Sequence, residues 1–350
     1  MNLRHLAFSA VFRAIAATGA DRWGRGLGQG RGVILTLHHV RPQGAGGFRP
    51  NGLLEITPDF LDRTLSLVRA EGYDLVSLDE ALARLAAPRP GRFFVALTFD
   101  DGYRDTVEHA WPVLAKHGAP WTLFVTPGFA DRTARLWWLE LEEALRALPA
   151  LSLALPDGPF TAPTVRDSEK QRAFEALYWR LRKQPEAILL SAISDLTAQA
   201  DIDPTALVER ECLPWETLRA LAGAPGVTIG AHTLTHPMLA KHDAAFARAE
   251  ISDSKARLEA ELGLPIRHFA YPVGDPTSAG PREFTLAKAA GFASAVTTRP
   301  GHLFAEHADN RHALPRVSLN GLHQSEAAVR ALLSGLPFWL WNRGKRLNVG

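Results

Sequence analysis

The sequence predicts an α/β chain folded as a distorted (β/α) barrel of seven to eight parallel strands, with a mostly helical insertion between the fourth and fifth. Three observations lead there. Short apolar runs alternate with segments of helical spacing; eight such runs can be counted; and polar residues gather where successive runs end. The division that follows is residues 1–32 as an N-terminal helix and Gly-rich linker, 33–324 as the barrel including an insertion at 131–224, and 325–350 as a C-terminal helix with a basic aromatic tail.

Composition sets the outer limits. A chain of 350 residues with 46% hydrophobic content can bury a large core, and 39 Lys and Arg against 37 Asp and Glu give no global field for nucleic acid or a polyanion. The single cysteine, Cys212, excludes an intramolecular disulfide and a thiolate metal cluster. Any metal must therefore take nitrogen and oxygen ligands.

Residues 1–20 are mildly apolar, yet Arg4 and Arg13 bracket no more than eight uncharged or weakly polar positions, too few for a secretory signal. An amphipathic helix with Leu6, Val11, Phe12 and Ile15 on one face is the better reading, directed at the core or at a membrane surface. Gly24 to Gly32 reads as a linker. Val33 to Leu37 is the first strand, ending in His38 and His39. Phe60, Leu61, Leu65 and Val68 mark a helix opened by Thr57-Pro58. Tyr73 to Leu78 and Asp79 to Leu85 follow as strand and helix.

The third strand, Phe93 to Phe99, is apolar throughout and stops at Asp100, Asp101 and Gly102. In isolation Asp-Asp-Gly is also an ordinary solvated turn. At a buried strand end, two adjacent carboxylates need a compensating cation. A helix over Asp105 to His117 and a strand over Trp121 to Val125 complete the first half.

From about Asp131 to Ala224 the alternation lapses into helices, best marked over Leu136 to Leu148, Ser168 to Arg182 and Pro185 to Ala198. Trp137, Trp138, Trp179 and Trp215 in this insertion suit either a core or the wall of a sugar-binding groove. The alternation resumes with strands at Val227 to Ala231, Arg267 to Ala270, Ala293 to Thr297 and Leu314 to Leu319. Helices are expected at Ala244 to Leu262, Pro281 to Ala290 and from Ser325. No GxGxxG or Walker sequence follows a strand. No stretch reaches the roughly 18 apolar residues of a membrane span. Leu332 to Arg346 sets Trp339 and Trp341 beside a basic tail, a pattern suited to an interfacial anchor as well as to ordinary packing.

A barrel brings its strand ends to one face. His38, Asp100, Asp101, His232, His236, Tyr271 and Arg316 would meet there. The HxxxH spacing of His232 and His236 would set both imidazoles on one side of a helical turn, with Pro237 opening the next helix. With Asp101 they make a His, His, carboxylate ligand set that leaves positions open for water and substrate. Asp100 is then free to act as a general base toward a water activated by the metal, and His38 is the best candidate acid, with His39 second.

Thr98 to Asp105 (TFDDGYRD), His232 to His236 (HTLTH) and Phe269 to Gly274 (FAYPVG) resemble, in that order, the first three motifs of the polysaccharide deacetylases, the NodB-homology carbohydrate esterases of family four. The layout is most similar to the poly-N-acetylglucosamine deacetylase branch, in which an early strand supplies the acid. The resemblance runs from about Val33 to Leu319, outside the insertion. It implies Asp100 as base, Asp101, His232 and His236 as ligands of a divalent metal, usually zinc, with nickel or cobalt as alternatives, and removal of acetyl groups from acetylated sugars.

Two departures from the family pattern stand out. Ala270 precedes Tyr271-Pro272 where many members carry an Arg, and Arg316 in LPRVSL is the expected substitute. The acid is expected at His38, with His302 and His323 as late competitors. Tyr271, Pro272 and His39 complete the expected substrate and oxyanion contacts, the Tyr271 backbone N–H holding the oxyanion. The expected partner is an acetylated glycan or glycoconjugate, with peripheral membrane contact through the termini. The expected location is the cytoplasm or the inner membrane surface. Two other readings compete: a non-catalytic glycan-binding or membrane-peripheral scaffold, and a hydrolase of a small cyclic amide or imide.

Overall fold

The computed structural model describes residues 3–44 and 46–349, with side chains of the first helix from Ser9 onward. Eight strands form one parallel sheet: β1 (Gly32–Leu37), β2 (Asp74–Val76), β3 (Phe94–Phe99), β4 (Trp121–Val125), β5 (Val227–Ala231), β6 (His268–Ala270), β7 (Ser294–Val296) and β8 (Val317–Ser318). Seven fall within the runs expected from the sequence, and β1 begins one residue earlier, at Gly32. β1 lies between β8 and β3, and the sheet continues from β3 through β4, β5 and β6 to β7. β2 shares one edge of β3 with β4, pairing with Phe94 to Ala96 while β4 pairs with Leu97 to Phe99. A single parallel bridge from Val296 to Leu314, just ahead of β8, closes the curl into a distorted barrel.

β1 and β3 are buried at every position, as strands covered on both faces must be. The helices start on chemistry visible in the sequence. Thr57 caps Pro58–Ala70 by accepting from the Phe60 N–H, Ser77 caps Leu78–Ala86 and Asp243 caps Ala244–Leu262. Phe60, Leu61, Leu65 and Val68 form the buried stripe expected of the first of these.

Register is what makes a site possible. Leu37 pairs with Phe99, Phe99 with Leu123, Val125 with Ala231, Ala231 with Phe269, and Ala270 with Val296, so the C-terminal ends of six strands step along the curled sheet by no more than three residues. His38, Asp100 and His232, the residues that follow β1, β3 and β5, then face the same space.

Between β4 and β5 the chain builds a lobe with its own apolar cluster, including Leu136, Trp137, Trp138, Phe174, Leu177, Leu181 and Ile193. Helices Trp137–Ala147, Asp167–Lys183 and Glu186–Gln199 match the expected ones. The lobe also holds an antiparallel hairpin, Ala150–Leu153 with Phe160–Pro163, that the helical reading omitted. Its signal was present: Leu151 and Leu153 alternate with exposed neighbours, and Pro156-Asp157-Gly158 supplies the turn, Gly158 at φ 111°.

The Gly-rich stretch is not an extended linker. Gly24 and Gly28 back onto Leu336 and Gly335 so closely that a Cβ on Gly28 would stand 2.6 Å from the Gly335 carbonyl carbon. The first helix, Leu3–Ala17, buries Phe12 and Ile15 against Ala328, Ala331 and Leu336 and leaves Val11 exposed; the Leu6 side chain lies outside the described residues. No helix among the described residues is long and apolar enough to cross a membrane.

Candidate active site

Asp100 and Asp101 leave β3 in opposite roles. The Asp100 N–H still pairs with the Leu37 carbonyl, whereas Asp101 turns into the left-handed region at φ 71° and Gly102 follows at 72°. That turn separates two adjacent carboxylates. Asp100 meets Arg316, whose Nη1 and Nη2 each lie 2.7 Å from one of its oxygens. Arg316 is fully buried and otherwise satisfied, donating to the Thr297 carbonyl and the Thr98 hydroxyl with its plane over Phe124. Burial pushes the Asp100 carboxyl up, but Arg316 and His232 outweigh it and hold it below the usual carboxylate range. The basic partner missing beside Tyr271 thus arrives from the segment that opens β8.

Asp101 faces the two imidazoles. Its Oδ1 lies 3.4 Å from His232 Nε2 and 3.2 Å from His236 Nε2, and this buried oxygen accepts no hydrogen bond among the described residues. The three donor atoms lie within 4.8 Å of one another. Tetrahedral bonds of about 2.0–2.1 Å separate neighbouring ligand atoms by about 3.3 Å, so both spacings suit a small divalent cation. His232 Nδ1 donates to the Ala270 carbonyl at 2.7 Å, which leaves Nε2 as its ligand atom. Burial lowers the His232 pKa, but the hydrogen bond and charges of Asp101 and Asp100 raise it above its ordinary value. The pocket therefore attracts positive charge. Asp101, His232 and His236 fit a metal in geometry and in donor type.

The two histidines are joined by a loop, not the helical turn that the HxxxH spacing suggested. Thr233 (φ 61°) and His236 (φ 67°) both adopt left-handed backbone, a costly choice for a β-branched residue. The Thr233 hydroxyl donates to the His232 carbonyl and accepts from the His236 N–H. The buried carboxylate of Glu250 accepts from the N–H groups of Leu234 and Thr235, both at 2.9 Å, and from the Thr235 hydroxyl. Nothing in the sequence pattern marked Glu250, because its partners are backbone groups.

The cleft above these residues has a volume of about 290 Å³. The barrel contributes Thr36, His38, Val273, Thr298 and Ser318, and the lobe contributes Trp137, Trp138 and Tyr178. Trp137 stacks on Tyr178, and Trp138 packs against the His236 ring at 4.9 Å between centroids. His38 Nε2 stands 3.9 Å from Asp100 Oδ2 with part of its ring open to the cleft. Burial lowers the His38 pKa, and the attraction of Asp100 and Asp101 only partly offsets it.

The remaining expected residues divide. His39 does not line the cleft: Nδ1 pairs with Asp105 at 2.7 Å beside Arg41, and the ring lies on Tyr103, whose hydroxyl accepts from Trp138 Nε1. Tyr271 is buried with its hydroxyl on the His312 carbonyl, and its N–H continues the sheet by donating to Val296. It is unavailable to an oxyanion, and Pro272 has no N–H to offer. Val273 is the next residue. It lines the cleft at φ 63°, and its N–H has no hydrogen-bond partner among the described residues. Sequence reasoning missed it because both candidate N–H groups lie in one motif and only the sheet decides which is consumed.

The late histidines lie elsewhere. His302 sits at the opposite end of the barrel, against Phe93, with Nδ1 accepting from Gly30 and Nε2 donating to Leu332. His323 is covered by the first helix, sharing a hydrogen bond with Ser9 and packing edge-on to Phe12.

Comparison with known proteins agrees with this architecture. The structures of the Streptococcus pyogenes deacetylase PplD (TM-score 0.56, 19% identity, 87% of this chain and 97% of that one) and of IcaB from Ammonifex degensii (0.53, 18%, 88% and 97%) share the fold. So does a de-N-acetylase from Aggregatibacter actinomycetemcomitans (0.54, 13%, 86% and 99%). No curated protein matches the chain in sequence. The profile of the polysaccharide deacetylases matches residues 87–294, more than half of the chain and including all three candidate metal ligands. The chain therefore belongs to the polysaccharide deacetylase family, metal-dependent hydrolases of carbon–nitrogen bonds other than peptide bonds.

Proposed function

We propose that the chain removes acetyl groups from an N-acetylated sugar polymer or glycoconjugate, of the poly-N-acetylglucosamine type, with zinc held by Asp101, His232 and His236. The observation that carries this reading is the division of the carboxylate pair: Asp101 faces two imidazoles, while Asp100, one residue away, is clamped by Arg316. A divalent cation at the first site supplies Lewis acidity, polarising the acetyl carbonyl and lowering the pKa of a water toward about 7.

The chain's own groups do the rest. Asp100 takes the proton of the attacking water, its ionised form being favoured by Arg316. The Val273 N–H, unspent at the cleft wall, is the backbone donor available to the carbonyl oxygen as negative charge develops there. As the carbon–nitrogen bond breaks, His38 delivers a proton to the departing amine. It stands near Asp100, from which it receives the proton taken from water, so acetic acid and a free amine leave with both protons of the water accounted for. Trp137 and Tyr178 offer apolar ring faces to a pyranose.

Acetate release from N-acetylglucosamine oligomers, measured with and without a chelator and restored by zinc, tests this reading. Activity that survives metal removal, or survives Asp100→Asn, would overturn it.

A further inference from the structure

Ten large apolar side chains are exposed among the described residues, and five of them, Val11, Trp23, Leu27, Leu340 and Trp341, belong to residues 9–28 and 336–349. These two segments are neighbours in space. Gly24 and Gly28 lie directly on Leu336 and Gly335, and the first helix packs on the helix Glu326–Ser334 that leads into Leu336–Trp341. Leu340 follows Leu336 by one helical turn, on the same side of that short helix, and Leu336 itself lies against Gly24, the residue after Trp23. Trp23 is 67% exposed, Leu340 55% and Trp341 63%. A soluble surface has no reason to gather its largest apolar groups in one place.

Charge follows the same line. The two segments carry six basic residues, Arg13, Arg22, Arg25, Arg343, Lys345 and Arg346, against one acidic residue, Asp21, which is buried. The rest of the chain holds 33 Lys and Arg against 36 Asp and Glu. Arg25 is committed to Glu71, and Arg346 lies 3.9 Å from Glu306. Arg13, Arg22, Arg343 and Lys345 enter no ion pair among the described residues.

We propose that this face docks onto an anionic phospholipid surface. Trp23, Leu27, Leu340 and Trp341 enter the headgroup boundary, and the four unpaired cations meet lipid phosphates around them. The aromatic and aliphatic groups supply burial, the cations supply selectivity for anionic lipid, and neither set alone holds the protein firmly. The inference is independent of the proposed reaction, since none of these residues lines the catalytic cleft.

Flotation of the full chain with phosphatidylcholine vesicles, with and without 30% phosphatidylglycerol, tests it. The protein is expected to float only with the anionic vesicles and to be released as NaCl is raised from 0.05 to 0.5 M. Each basic side chain removed should weaken binding about fivefold, so R22Q/R343Q/K345Q should lose about a hundredfold. W23A/L340A/W341A should abolish flotation even at low salt. Circular dichroism and Tm of both variants should match the parent, and the salt titration of the parent stands whether or not a variant folds. Equal flotation with neutral vesicles, no flotation with either, or a solution dimer dispersed by W341A would each overturn the proposal, the last by assigning the face to a second copy of the chain.

Discussion

Arg316 and Asp100 form a two-pronged ion pair in which each guanidinium Nη lies 2.7 Å from a different carboxylate oxygen, with both side chains almost completely buried. Arg316→Lys replaces a planar fork with a point charge and cannot reproduce both contacts. Its kcat should fall by at least tenfold while the protein stays folded. Arg316→Ala leaves a buried carboxylate unpaired and should cost about 3–5 kcal/mol, read as a drop in Tm and in the urea midpoint. A lysine variant with unchanged kcat would remove Arg316 from the chemistry.

Glu250 positions both imidazoles without touching either. Because its carboxylate ties down Leu234 and Thr235 in the loop between them, Glu250→Ala should weaken zinc binding about 10–100-fold, measured by competition with a chromogenic chelator. Glu250→Gln keeps one acceptor oxygen and should recover part of the affinity. Loss of stability with unchanged zinc affinity would make Glu250 a fold residue only.

Metal and fold should be linked. Zinc at about a thousand times its dissociation constant is expected to stabilise the native chain by about 4 kcal/mol. Thermal unfolding with zinc and with chelator should therefore differ by several degrees in the parent, and the difference should vanish in Asp101→Asn and in His236→Gln.

His302 should make stability depend on pH. Burial lowers its pKa to about 4, and its two hydrogen bonds define a neutral ring that accepts at Nδ1 and donates at Nε2. Below about pH 6.5 the unfolded chain binds a proton that the native chain refuses until about pH 4, so stability falls as pH drops through that window. The loss at pH 5 should be about 2 kcal/mol. Urea unfolding at pH 7 and pH 5 measures it; His302→Gln should remove that part of the dependence, while His307, whose pKa burial also lowers to about 4, keeps its own.

The barrel was legible because its strands are short apolar runs that end in polar residues, and because parallel register brings such ends together without further information. Arg316 was legible for the same reason: it stands at a strand with no competing task. What the sequence concealed depended on how backbone groups are spent. Tyr271 and Val273 look equally suitable until β6 and β7 pair and consume the Tyr271 N–H. His39 looks as reactive as His38 until alternation along the strand turns it toward Asp105 and Arg41. The loop joining His232 to His236 relies on left-handed residues at Thr233 and His236, which no residue preference announces.

Arg316 follows Asp100 by 216 residues, and the bridge that seals the barrel at Leu314 lies beside it. No amino-terminal fragment ending short of that point can bury the Asp100 carboxylate with its partner. A chain still emerging from the ribosome must keep the barrel mouth wet through the synthesis of the entire lobe. Sealing is then a late event that coincides with completion of the Asp100–Arg316 pair, so a truncated product is left both open and without that pair.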